Sequence, residues 1–119
     1  VQYAHARICS ILRQASEQGD FNLENCNYEL LTDEYSVELL KNLAYFPEIV
    51  AQAATNYEPH RICNYLQILA SSFHKFYNNN KVITEDKEQT ESYLALITAV
   101  KITLRNALEL IGVSAPEKM

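Results

Sequence analysis

Three observations predict an all-α fold, a bundle of about five helices with short connections. Apolar residues recur at spacings of three and four in successive segments. Those segments are punctuated by Gly19, Pro47, Pro59 and the run Asn78-Asn79-Asn80. No segment keeps the period-two alternation that a half-buried strand needs.

The first helix is expected over residues 1–18. Val1, Ala4, Ile8, Ile11, Leu12 and Ala15 fall on one stripe, and Gly19 is read as a left-handed stop. Residues 20–32 lack a period and are read as a loop holding a turn of helix. Thr32 or Asp33 is then placed to cap a second helix, whose expected core stripe is Val37, Leu40, Leu43 and Ala44. Phe46-Pro47 breaks it, because the residue before proline avoids helical geometry. Pro47 suits the first turn of a short third helix through Ile49, Val50, Ala53 and Ala54.

Pro59 starts the fourth helix, which has the clearest pattern: Ile62, Leu66, Leu69, Phe73 and Phe76 follow one another by four, three, four and three. Thr84 is read as the cap of the last helix, with Glu85, Asp86 and Glu88 near its positive end. Leu94, Ile97, Lys101, Leu104, Leu108 and Ile111 line its stripe, with the lysine at the edge, and Gly112 closes it.

Composition narrows the function. With 119 residues and 48% hydrophobic content, the chain is long and apolar enough to bury one core as a single domain. Only two glycines occur, which removes the glycine-rich phosphate cradles of P-loop and dinucleotide-binding proteins. Cys9, Cys26 and Cys63 make an odd number without a CxxC pair, so a reduced, cytoplasmic setting is expected. No apolar run is long enough to span a membrane. The chain opens on Val1 and its single Met is the last residue, so a fragment or a processed chain is expected.

The net charge of −5 argues against a polyanionic partner until it is divided along the chain. Residues 17–58 hold nine acids and one base, a local balance of −8. Residues 1–16 carry two arginines and no acid, and residues 59–84 carry three bases and no acid. Local fields weigh more than the sum for a charged partner, so the polarity is compatible with RNA without requiring it.

Three stretches together carry a resemblance. The first is Val1-Gln2-Tyr3-Ala4-His5-Ala6-Arg7-Ile8-Cys9-Ser10-Ile11. The second is Phe46-Pro47-Glu48, followed by Glu58-Pro59-His60-Arg61-Ile62-Cys63-Asn64-Tyr65-Leu66 and Phe73-His74-Lys75-Phe76-Tyr77-Asn78. The third runs from Leu104 to Val113 and ends at Ala115-Pro116-Glu117-Lys118-Met119. In order and spacing these resemble the C-terminal anticodon-binding domain of arginyl-tRNA synthetases, over nearly the whole chain. The Asp-Ala-Leu-Arg signature for which such domains are named is absent, and Thr98-Ala99-Val100-Lys101 stands nearest to it. The acidic segment 17–35 has no match in the resemblance.

The resemblance implies a tRNA-reading module without catalytic residues or a cofactor of its own. The expected partners are the anticodon loop of arginine tRNA and the catalytic core of the same chain, which would use ATP and magnesium. A monomer is expected. By resemblance Tyr3, Arg7, Tyr77 and Met119 line a pocket for the middle anticodon base. Tyr3 and Arg7 share a helix face four residues apart. From pattern alone the preferred reading packs Tyr3 at the bundle edge and leaves Arg7 as a solvated flank residue, while Tyr77 either continues the core of Phe73 and Phe76 or stands free to stack. Arg61, Lys75, Lys101 and Arg105 are candidate phosphate contacts, with ordinary surface charge as the alternative.

Two other classes remain as rivals. A protein-interaction bundle predicts an exposed apolar groove and scattered tyrosines. A metal-dependent regulator would draw on His5 with Cys9 and His60 with Cys63, although helix-face pairs of this kind more often simply pack, and no metal is expected.

Overall fold

A computed structural model describes residues 1–19, 21–23 and 27–112. Its elements in chain order are α1 (Gln2–Gln18), a 3-10 turn (Tyr28–Leu30), α2 (Glu34–Ala44), α3 (Phe46–Asn56), α4 (His60–Asn79) and α5 (Lys87–Leu110). The described residues contain no strand, as the missing period-two pattern predicts.

Helix α4 is the centre of the bundle. It packs against α2, α3 and α5 and touches α1, which lies mainly along α5. Its predicted stripe is the core: Leu69, Phe73 and Phe76 are fully buried, with Ile62 and Leu66 nearly so. Burying side chains of this size contributes about 1.5–3 kcal/mol each. On α5 the stripe is wider than expected, because Tyr93, Leu96, Val100 and Ala107 join Leu94, Ile97, Leu104 and Leu108 inside.

Several local expectations are corrected. In α2 the buried residues are Ser36 and Leu39, whereas Leu40 and Ala44 face outward and Val37 and Leu43 are only half-buried. Gly19 ends α1 with φ 177°, an extended geometry open to any residue, so no left-handed stop operates there. Gly112 does take the left-handed conformation, at φ 78°. Phe46 belongs to α3, and only Tyr45 separates α2 from α3. The cap of α5 is Asp86, whose carboxylate accepts from the Glu88 and Gln89 amides. Thr84 instead meets Thr90, its backbone amide donating to the Thr90 hydroxyl oxygen at 2.8 Å.

Polar groups join the helices at fixed points. Tyr65 of α4 donates its hydroxyl to the Asn42 carbonyl of α2 at 2.6 Å, and burial pushes that phenol up to about 12. Asp33 caps α2 by accepting from the Ser36 amide and hydroxyl. Asn80, just past α4, donates to Asp33 and to the Phe76 carbonyl and accepts from the Tyr93 hydroxyl of α5. Three elements therefore meet at the end of α4, beside Tyr77.

Candidate nucleic-acid interface

The site residues come from the first two turns of α1 and the last turn of α4. The stripe Ala4, Ile8 and Ile11 turns one face of α1 into the bundle, which leaves the flanking Tyr3 and Arg7 at its edge. The Phe73 and Phe76 register does the same for Tyr77, which is half-buried. Packing of α1 against α4 then brings the two edges together.

The Arg7 Nη1 group donates to the Tyr3 hydroxyl at 2.7 Å. Its guanidinium carbon lies 4.2 Å from the centre of the Tyr77 ring and 5.8 Å from that of Tyr3. Both are within the roughly 6 Å at which a cation is attracted to an aromatic face. Arg7 is thus the bridge between two phenols contributed by distant helices. The Tyr77 phenol holds the guanidinium above its usual value, against the opposing effect of partial burial, and Tyr3 adds to the rise. The Arg7 Nε–H is buried and has no hydrogen-bond partner among the described residues.

His74 completes the cluster and was not singled out from the sequence. Its ring stacks on Tyr3 with centroids 6.1 Å apart and planes 28° apart, and it also meets Phe73. Burial holds the imidazole below its ordinary value, and the Arg7 charge pushes the same way. Its position three residues before Tyr77 was the available signal, since that spacing puts both on one face of α4. Tyr3 remains 52% exposed, so the cluster is an open surface of flat groups rather than sealed core.

The other expected residues are dispersed. Arg61 stands in the first turn of α4, about 24 Å along the helix from Tyr77. It pairs with Glu58 and also reaches the Gln52 side chain. Arg105 pairs with Glu109 at 3.3 Å on the exposed face of α5. Lys75 is exposed on α4, one residue beyond His74. Lys101 lines a cavity of about 570 Å³ with Leu12, Phe21 and Leu94, to which Tyr77 does not contribute. In the Thr98–Lys101 segment that stands nearest to the signature, Thr98 hydrogen-bonds its own helix and Val100 is buried. Met119 lies outside the described residues.

His5 and Cys9 are buried together, with Nδ1 and Sγ 3.9 Å apart, whereas Cys63 and His60 are exposed. Among the described residues, no three His, Cys, Asp or Glu side chains gather as a metal site would require. No helix there is long and apolar enough to cross a membrane.

The DALR anticodon binding domain family matches this sequence over residues 1–119. The chain belongs to that family. The DALR domain is 52% identical over 118 residues to an arginine–tRNA ligase of Staphylococcus carnosus, and 54% identical to one of Staphylococcus aureus. In each case the match takes in 99% of this chain and 21% of the relative, so the chain spans about a fifth of the length of these ligases. Among solved structures, the arginyl-tRNA synthetase of Thermus thermophilus superposes with a TM-score of 0.81 at 36% identity, over 99% of this chain and 20% of that one. That of Plasmodium falciparum gives 0.81 at 31% identity, over 98% and 20%. The all-α expectation and the resemblance to arginyl-tRNA synthetases are both borne out, and the missing signature tetrad does not alter the fold.

Proposed function

We propose that this DALR domain reads the anticodon loop of arginine tRNA on behalf of a longer arginine–tRNA ligase. The observation that carries the reading is the convergence of Tyr3, Arg7 and Tyr77 at one partly exposed surface. RNA loops are recognised through unstacked bases laid on aromatic rings or guanidinium planes and hydrogen-bonded at their edges. Arginine codons all carry G in the middle, so the cognate anticodons share a middle cytosine, and one pocket for one pyrimidine serves them all.

In this reading the cytosine stacks against the phenols and finds donors on Arg7. Met119 closes the pocket with a flexible thioether suited to flat rings. Lys75 is the charge nearest to the cluster along α4. Arg61 and Arg105 would have to exchange a carboxylate for a phosphate, which favours Lys75 and Lys101 as phosphate contacts. Stacking supplies about 1–3 kcal/mol per base, and each phosphate contact adds a salt-dependent increment. The domain positions the tRNA. Activation of arginine with ATP and magnesium belongs to a catalytic core elsewhere in the polypeptide, so the 119 residues alone do not aminoacylate. A monomeric, cytoplasmic protein fits this role.

The test is an NMR titration of the 119-residue chain with an arginine anticodon stem-loop, and with the same RNA carrying a changed middle base. Resonances of Tyr3, Arg7 and Tyr77 are expected to shift with the first RNA and much less with the second. Equal shifts for both RNAs, spread away from these residues, would remove the reading.

A further inference from the structure

Beyond the cluster, a groove of about 500 Å³ runs from Tyr77 along the second half of α1. That is within the roughly 300–1,000 Å³ of small-ligand sites. We propose that it is a second nucleotide subsite, taking the loop nucleotide that adjoins the base held by Tyr3, Arg7 and Tyr77. The inference rests on the RNA reading of that cluster and extends it.

The groove offers the three things a nucleotide needs. Ile11 and Val82 are buried beneath it and Ile83 is half-buried, which gives a base an apolar floor. Gln14 and Gln18 stand at the α1 side, both exposed. Each carboxamide carries donors and an acceptor, the combination that pairs with a base edge. Lys81, exposed on the opposite side, forms no ion pair among the described residues and matches a phosphate. Asn80 is excluded as a reader, because its amide already serves Asp33, Phe76 and Tyr93.

The register of α1 makes the two sites continuous. Arg7, Ile11, Gln14 and Gln18 recur at four, three and four, so one helix face passes from the first site to the second. Gln14 lies about 10 Å along the axis from Arg7. That is beyond the edge of a single base seated on Tyr77, so a neighbouring nucleotide is needed to reach it. Tyr77 lies at both sites, with Arg7 over its ring and the groove beside it.

The experiment uses the 119-residue chain, Gln14→Ala/Gln18→Ala, Lys81→Ala and Tyr77→Ala, with fluorescence anisotropy at low salt. The RNAs are the arginine anticodon stem-loop, versions with an abasic site 5′ or 3′ of the middle base, and one with the middle base changed. Melting curves verify that the exposed substitutions leave the fold intact. The wild-type chain is expected to lose about 5–10-fold in affinity on one of the two abasic RNAs, which identifies the occupant. The double glutamine variant should lose a similar factor on the intact RNA and nothing further on that abasic RNA, while still rejecting the changed middle base. Lys81→Ala should weaken all RNAs equally and lower the salt slope by about one. Glutamine variants that bind every RNA as the wild type does would overturn the second subsite. So would losses that simply add on both abasic RNAs. If Tyr77→Ala and the changed middle base leave binding untouched, the reading of the cluster fails instead.

Discussion

Replacing Arg7 by leucine separates what the residue does for the fold from what it does for RNA. Leucine keeps an apolar stem against the bundle and removes the guanidinium. Two favourable contacts go: the cation over the Tyr77 ring at 4.2 Å and the hydrogen bond to the Tyr3 hydroxyl at 2.7 Å. The first is worth about 0.5–1 kcal/mol at a half-exposed position. The second, to a tyrosine that faces solvent, adds about 0.5 kcal/mol. One unfavourable feature goes with them, the buried Nε–H without a partner, and relieving it returns about 1 kcal/mol or more. The terms nearly cancel, so urea unfolding of Arg7→Leu should stay within about 1 kcal/mol of the wild type at unchanged m. Affinity for the arginine anticodon stem-loop should nevertheless fall about tenfold, the lower half of the range for losing one stacking plane. A double-mutant cycle with Tyr77→Leu isolates the contact and should give a coupling of about 0.5–1 kcal/mol. A stability loss of 3 kcal/mol or more would make Arg7 a structural residue, and that outcome, or a coupling indistinguishable from zero, would refute the reasoning.

Two further outcomes follow from the titrating groups. Burial raises the Asp33 carboxyl, but hydrogen bonds from Ser36 and Asn80 outweigh it and hold the group below its ordinary value. Asp33→Ala should cost about 1–2 kcal/mol at neutral pH in a denaturant melt, as loss of a helix cap does. The gap should close only as pH falls through the depressed folded value, because that contribution is present above the unfolded one. His74 is also depressed, by burial and then by Arg7, so the unfolded chain binds its proton more readily than the fold does. Its neutral form is therefore fully compatible with folding above the ordinary histidine value, and stability drops as pH falls through and below that value. His74→Asn should flatten this acid-side decline in thermal melts between about pH 5 and 7.5, and an unchanged slope would dissociate His74 from it.

The main stripe of α4 was readable because Ile62, Leu66, Leu69, Phe73 and Phe76 are large apolar residues at helical spacing, whereas Tyr65, Ala70 and Ser72, buried beside them, carried no such signal. Helix α2 was misread for the opposite reason. Leu39 and Leu40 are adjacent, so either completes a plausible stripe, and the deciding inward residue is Ser36, which hydropathy ignores. Its hydroxyl is buried because Asp33 accepts from it. The loop cap was missed likewise: Thr84 and Asp86 both have capping chemistry, and the Thr90 hydroxyl engages Thr84 elsewhere. At the site, Tyr3 and Arg7 were legible as an i, i+4 pair on one helix. Their meeting with Tyr77 was not a local property, since it depends on how α1 rests on α4, and only the resemblance supplied it. His74 escaped notice because stacking on Tyr3 spans the same helix–helix contact.

The polar junction at Asn80 bears on how an RNA would meet this surface. By tying the α2 cap, the last turn of α4 and the Tyr93 hydroxyl to one side chain, it anchors the helix end that carries Tyr77 to two neighbouring elements. Little motional freedom is then left for the protein to surrender at encounter. On the reading proposed above, adjustment at encounter would then fall mainly to the nucleic acid, whose loop has to unstack to reach an already braced helix end.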